Sequence, residues 1–245
     1  AKGYICIEDN KPDCIAKLRE LVKGHSRIEV KEVMTKYPQG GERTLIYATT
    51  GREINSSMLP ADAGCVVDNV DTVVAVYKAV ILGRPVMNRI VTVTGDAIAS
   101  PKNFTVLTGT NMEELIEAAG GLKTGAAKVI SGGPMMGFAM FDLHVPCVKT
   151  TSAFLCLEKD AVSEAQKQMT ACINCGRCVR VCPGRVLPAR LATLAERGDM
   201  AGFEKLNGME CCECGCCSYV CPAKRPLTQS IKSMRKMVLA SRRKK

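Results

Sequence analysis

The sequence predicts a mixed α/β and α+β chain of several domains, ending in a helical module built on cysteine. Three observations carry this reading. A strand–helix–strand unit opens the chain. From Arg89, two strands, a helix and further strands follow in quick succession. Ten of the fifteen cysteines then fall between Cys172 and Cys221. The expected boundaries are residues 1–88, 89–157, 158–226 and a basic helix at 227–245.

In the first section Tyr4 to Ile7 reads as a buried strand. Asn10-Lys-Pro12 starts a helix whose Cys14, Ile15, Leu18, Leu21 and Val22 recur at helical spacing, and Gly24 closes it. Ile28 to Val30 is the next strand. That order favours parallel pairing. Tyr37 to Gly41 is a sharp loop, and Glu42 to Thr49 starts a second helix. Asp68 and Asn69 precede a third, Val70 to Leu82, which is apolar nearly throughout and reads as buried.

The second section alternates as a strand over Ile90 to Thr94 and again over Phe104 to Leu107. Met112 to Ala119 is a short helix closed by Gly120-Gly121. Ala127 to Ile130 is a third strand ending at Gly132-Gly133-Pro134, and Thr151 to Leu157 is the last. Strands flanking one helix in so short a span predict a β-grasp fold. A polar helix over Lys159 to Gln168 leads into the cysteine region. Leu227, Ile231, Met234 and Val238 form one stripe of the final basic helix.

Composition narrows the function. With 47% hydrophobic residues, no Trp and 4% aromatics, this is a globular chain whose cores rest on aliphatic side chains. No stretch of 18 residues lacks charge, so none is expected to cross a membrane. An odd cysteine count, the adjacent pairs Cys211–Cys212 and Cys216–Cys217 and the lack of a signal peptide argue against a disulfide framework. Reduced thiols serving metal in a cytosolic compartment fit better. The formal charge of +10 is partly a counter-charge for metal-bound thiolate, and without aromatic platforms or groove-reading motifs it does not point to nucleic acid.

The chemistry lies in two runs. Cys172-Ile-Asn-Cys-Gly-Arg-Cys-Val-Arg-Val-Cys-Pro183 and Cys211-Cys-Glu-Cys-Gly-Cys-Cys-Ser-Tyr-Val-Cys-Pro222 both follow C-x2-C-x2-C-x3-C-P. Three thiolates two residues apart wrap one face of a [4Fe–4S] cubane, and the fourth reaches the other cluster. Cys172, Cys175, Cys178 and Cys221 are therefore expected on one cluster, and Cys211, Cys214, Cys217 and Cys182 on the other. Zinc knuckles also use C-x2-C, but here each run has three cysteines at that spacing and a fourth before proline. Cys212 and Cys216 lie off the spacing and read as spectators. Ile173 and Val179 are expected to shield the first cluster, with Arg177, Arg180 and Arg185 as charges available to tune it. Cys6, Cys14, Cys65, Cys147 and Cys156 read as small core residues, and His25 and His144 as solvated.

Gly3 to Pro12, Lys36 to Arg43, Val67 to Thr72, Gly132-Gly-Pro-Met-Met-Gly137 and both cysteine runs together resemble the RnfC component of the Rnf ion-translocating ferredoxin:NAD oxidoreductase complex, across essentially the whole chain. That family is in turn similar to the flavin- and NADH-binding subunit of respiratory complex I. The resemblance implies a partial Rossmann-like α/β domain with an FMN site, an SLBB-type β-grasp domain and a two-cluster ferredoxin domain. It implies that Gly40, Gly41 and Glu42 lie beside flavin and nicotinamide, that Asn69 lies near the FMN phosphate, and that Glu8, Asp9 and Asn10 end a strand at the flavin pocket. NAD(H) is the implied substrate. The other Rnf subunits are the implied partners, with peripheral attachment to the cytoplasmic face of the cell membrane. No residue is expected to act as a catalytic acid or base.

Family members carry a glycine-rich phosphate loop upstream, and nothing here supplies it, so only part of a flavin site is expected in this chain. Read without the resemblance, Gly40-Gly41-Glu42 is a turn and helix start, Asn69 a helix cap, and Glu8-Asp9-Asn10 a capping cluster. Lys232, Arg235, Lys236, Arg242, Arg243, Lys244 and Lys245 form either a solvated basic tail or a surface for anionic lipid or an acidic partner. Two other functions remain in view: a soluble cobalamin reductase with similar module order, and a non-catalytic iron–sulfur adapter.

Overall fold

The computed structural model describes residues 1–123 and 125–243. The chain divides into two compact units, residues 1–69 and 70–245. In the first, β1 (Gly3–Glu8), α1 (Pro12–Leu21) and β2 (Ile28–Val33) form the expected strand–helix–strand unit, and β1 pairs with β2 in parallel. Pro12 opens α1 because its missing N–H costs nothing at a helix start. After a loop containing a cis Tyr37–Pro38 bond comes α2 (Glu42–Thr50). Ile15 of α1, Val30 and Val33 of β2 and Ile46 of α2 are this unit's buried side chains.

The β1 strand is not buried as expected. It is half-exposed to exposed along its length, since the sheet here has two strands. Cys14 is also exposed and is no core residue. It lies beside Ile15, which takes the inward direction of the turn.

The second unit begins with α3 (Val70–Leu82), at the residues the sequence indicates. Its burial differs from the expectation, because none of its thirteen residues is buried. Val73, Val76, Tyr77, Val80 and Ile81 are all exposed. An apolar run establishes a helix, but not whether anything covers it. Asp71 ties α3 to the following strand through Arg89 at 2.9 Å.

Five strands then form one sheet: β3 (Asn88–Thr94), β4 (Lys102–Leu107), β5 (Lys128–Ser131), β6 (Phe138–Met140) and β7 (Ala153–Leu157). The order is β4-β3-β7-β5-β6. The central pair β3 and β7 is parallel, and the others are antiparallel. With α4 (Met112–Ala118) against it, this is the β-grasp arrangement. Alternating side chains such as Val91, Val93, Phe154 and Cys156 meet Met112, Leu115 and Ile116 in one core. The strand β6 adds to the expected set, since three residues are too few to show an alternation in sequence.

The cysteine module follows α5 (Ala161–Lys167), which Asp160 caps through the Val162 and Ser163 N–H groups. It contains α6 (Arg177–Arg180), α7 (Pro188–Glu196), α8 (Met200–Lys205), α9 (Cys216–Tyr219) and α10 (Leu227–Arg243). The stripe Leu227, Ile231, Met234 and Val238 is buried. Ile231, Met234 and Val238 pack with Val186, Leu191 and Phe203. No helix among the described residues is long and apolar enough to cross a membrane.

Candidate functional site: two four-cysteine cavities

The two cysteine runs share one backbone path, offset by 39 positions (172 to 211, 182 to 221). Asn174 and Glu213 have positive φ, as do Gly176 and Gly215 and again Arg185 and Lys224. In each run the glycine caps a four-residue helix, α6 or α9. Left-handed residues at these places turn the loop back so that its sulfurs point inward. Cys178 and Cys217 are buried together with Ala192 and Leu227, and Cys221 packs against them, so one core joins the two runs.

Cys172, Cys175, Cys178 and Cys221 line one cavity of about 200 Å³. Three come from the first run and the fourth from the end of the second. The reciprocal cavity is narrower and is lined by Cys182, Cys211, Cys214 and Cys217, together with Cys212 and Cys216. Both expected sets, crossing member included, are thus brought together. Among the described residues, no three His, Cys, Asp or Glu side chains converge closely enough to hold a single metal ion. The first void, walled by four thiols, has room for a multi-iron cluster, whereas the second, of about 10 Å³, is far tighter. One zinc would draw its sulfurs to about 2.3 Å.

Burial pushes the Cys211 and Cys217 thiols above their ordinary value. Binding iron as thiolate therefore requires the metal's charge to drive off the proton. Polar neighbours already face these sulfurs. The Glu213 N–H donates to Cys211 Sγ at 3.4 Å, and the Thr228 hydroxyl lies 3.3 Å from Cys217 Sγ. Cys212 is pushed up as well, chiefly by its hydrogen bond to Cys214, so the two off-spacing cysteines are neighbours of the set rather than remote spectators.

Several expectations about the surroundings need correction. Ile173 and Val179 border the first cavity but are 64% and 40% exposed, so they form its rim and do not seal it. The arginines that border this cavity are Arg190 and Arg225. Arg177, Arg180 and Arg185 are exposed and do not line it. Arg225 is fixed by Glu196 at 2.5 Å and also hydrogen-bonds Cys172. It comes four residues after Cys221, outside the motif, and no spacing rule pointed to it. The basic helix α10 is also partly committed. Arg235 and Lys232 pair with Glu213 in the second cysteine loop, and Arg242 pairs with Glu204 at 2.6 Å. Arg235 is therefore withdrawn from the surface, whereas Lys232 stays half-exposed and Arg242 exposed beside their partners. Lys244 and Lys245 lie outside the described residues.

In the first unit, Glu8 ends β1 and Asp9 and Asn10 follow it, while Gly40 and Gly41 come from the connection after β2 and Glu42 opens α2. Ligands of open α/β sheets bind at that end. Asp9 accepts from the Thr35 N–H at 3.0 Å and hydroxyl at 2.5 Å, which holds its carboxyl below the usual range and ties the two strand ends together. Glu8 and Asn10 both accept from Lys11 at 2.9 Å. Gly41 caps α2, and a side chain there would come within 3.0 Å of the Pro38 carbonyl. Asn69 is the last residue of this unit.

Comparison with known proteins gives the same modules in the same order. Residues 1–78 match the Nuo51 FMN-binding domain, 90–139 the SLBB domain and 171–224 the 4Fe-4S dicluster domain. The chain is 45% identical over 243 residues to the C component of the Na(+)-translocating ferredoxin:NAD(+) oxidoreductase complex of Acetobacterium woodii. It is 42% identical over 235 residues to the proton-translocating counterpart of Clostridium ljungdahlii. The chain belongs to the RnfC family. These matches cover 99% and 96% of the chain but only 54% and 51% of the relatives, so it spans about half their length. The corresponding component of the Pseudomonas aeruginosa ion-translocating oxidoreductase complex is 44% identical over 76% of the chain and 24% of its own length. A solved NAD+-reducing [NiFe]-hydrogenase in the H2-reduced state shares the fold, with a TM-score of 0.54 at 16% identity over 98% of this chain and 47% of that one.

Proposed function

We propose that the chain is the electron-transferring portion of an Rnf-type ion-translocating ferredoxin:NAD oxidoreductase. It holds one [4Fe–4S] cluster on Cys172, Cys175, Cys178 and Cys221 and a second on Cys182, Cys211, Cys214 and Cys217. The observation that carries this is the pair of cavities, one lined by four cysteines and the other by six, each with one cysteine crossing from the other run. The family membership sets the reaction class. When bound, the clusters pass single electrons, and a flavin exchanges hydride with the nicotinamide.

The protein's own residues supply placement and electrostatics. The left-handed positions set the loops, the shared core of Cys178, Ala192, Cys217 and Leu227 holds the runs together, and Arg225 favours the more negative reduced state of the first cluster. Glu8, Asp9, Asn10, Gly40, Gly41, Glu42 and Asn69 are the proposed contribution of this chain to an FMN and NAD(H) site. The proposed partners are the other subunits of the complex, which hold it peripherally at the cytoplasmic face of the membrane. The proposed division of labour is 1–88 for flavin, 89–157 as spacer and 158–226 with helix 227–245 for the clusters.

The test is iron, sulfide, zinc and flavin quantification on anaerobically purified protein. About eight irons and eight sulfides per chain are expected. Stoichiometric zinc without sulfide would overturn the reading. Recovery with membrane subunits separates this function from a soluble cobalamin reductase. NADH oxidation with an artificial acceptor by the full-length protein separates it from a non-catalytic adapter.

A further inference from the structure

The motif Gly132-Gly-Pro-Met-Met-Gly137 lies far from the cysteines in sequence, and the proposed function leaves it without a task. It connects β5 to β6. Gly132 has φ +101°, and Gly137 is crowded so closely that a Cβ there would lie 2.6 Å from both the Gly133 carbonyl and Ile130 Cγ2. The Gly137 N–H closes the turn on the Gly133 carbonyl at 2.8 Å. Two glycines thus allow a tight turn that no other residue could make. Of its two methionines, Met136 is exposed.

Met135 reaches the cysteine module. Its Cε lies 3.0 Å from the position a Cβ would take on Gly215. The methyl group therefore fills the space that the glycine of the second cysteine loop leaves open. Gly215 also borders the cavity of Cys182, Cys211, Cys214 and Cys217. Its backbone is a wall of that cavity, and Met135 covers the outer side. The first loop is the internal control. Gly176 occupies the equivalent position with φ +70°, and nothing lies within 4 Å of its Cβ position. Cys175 is exposed beside it, whereas its counterpart Cys214 is buried; Cys178 and Cys217 are both buried, and Ile173 and its counterpart Cys212 are both exposed. The two loops share a backbone and differ in cover.

We propose that Met135 is a positioning residue of the electron path: reaching over from the β-grasp domain, it keeps water off the second cluster and separates its potential from that of the first. The inference rests on the cluster assignment above. A reduced cluster carries one more negative charge than the oxidised one. Water stabilises that charge, and an apolar, polarisable cover withholds the stabilisation. The covered cluster is therefore the harder to reduce. The first cluster, with its open loop and Arg190 and Arg225 on its cavity wall, is the easier. An electron entering the module rests on the first and reaches the second uphill.

The experiment is an EPR-monitored redox titration of anaerobically purified full-length protein, with iron and sulfide counted in each sample. Wild type should give two waves. Met135→Ala should move only the lower wave, upward, raising that cluster's reduced-to-oxidised ratio about tenfold at fixed potential, which is 59 mV for one electron. Met135→Leu, apolar and similar in volume, should restore the lower wave, and Met136→Ala should leave both in place. Unmoved waves, or equal movement of both, would overturn the role of Met135 while the cluster assignment stood. Loss of iron from both clusters in Met135→Ala would also overturn it, by making Met135 a folding residue. A wild type with eight irons but a single wave would overturn the separation of potentials, whereas one without about eight irons would overturn the assignment beneath it.

Discussion

Replacing Cys221 by alanine should empty the cluster of the other run, and counting iron can show this. The first cavity is walled by Cys172, Cys175, Cys178 and Cys221, although 42 residues lie between the last two. The second is walled by Cys182 with Cys211, Cys214 and Cys217. Each set of four holds about four irons, so wild type carries about eight. Cys221→Ala should keep about four. Adding Cys172→Ala removes a second ligand of the same cluster and should cost nothing further, leaving about four. Adding Cys217→Ala instead removes a ligand of the other cluster and should leave about none. Alanine avoids the oxygen ligand that serine would offer. The assay is iron and sulfide per chain after anaerobic purification, with circular dichroism to check the fold. If the runs did not cross, the pattern would invert: Cys217→Ala with Cys221→Ala would retain about four irons, and Cys172→Ala with Cys221→Ala would retain none. That result would refute the crossed assignment.

Other outcomes follow from packing. Ile231 of α10 is fully buried against α7 and α8, so Ile231→Ala should cost about 2–5 kcal/mol of unfolding free energy in anaerobic denaturant titrations. Glu213 anchors Arg235 and Lys232, and Arg235 Nε is buried without a hydrogen-bond partner. Glu213→Gln should therefore cost about 1–3 kcal/mol and speed removal of iron by chelator, because Glu213 belongs to the second cysteine loop. Gly95 has φ +121°, and a Cβ there would lie 1.9 Å from the Cys156 carbonyl. Gly95→Ala should cost more than about 3 kcal/mol, read as a fall in thermal midpoint, by prising β3 from β7.

The loop carrying Met135 shows why some of the site could not be read along the chain. Its glycines and methionines are visible in the sequence, but the contact that gives them meaning spans 80 positions, from Met135 to Gly215. Arg225 is similar. It becomes part of the first cavity because Cys221 crosses over and brings its neighbours along. Arg177 and Arg180, inside the first motif, turn outward, since a four-residue helix directs only some of its side chains at the cavity.

By itself, the sequence determined what depends on local spacing. The strand–helix–strand opening, the bounds of α3, the buried stripe of α10 and the grouping of three cysteines at x2 spacing within each run all follow from periodicities of two to four residues, which short-range backbone geometry enforces. Only the tertiary structure decided exposure and cover. It left α3 uncovered despite its apolar composition, put Cys14 outside, spent Arg235 and Arg242 on partners within the chain, and laid Met135 over one cysteine loop while leaving the other open. Burial depends on which distant segment arrives at a given face, and no window of neighbouring residues contains that information.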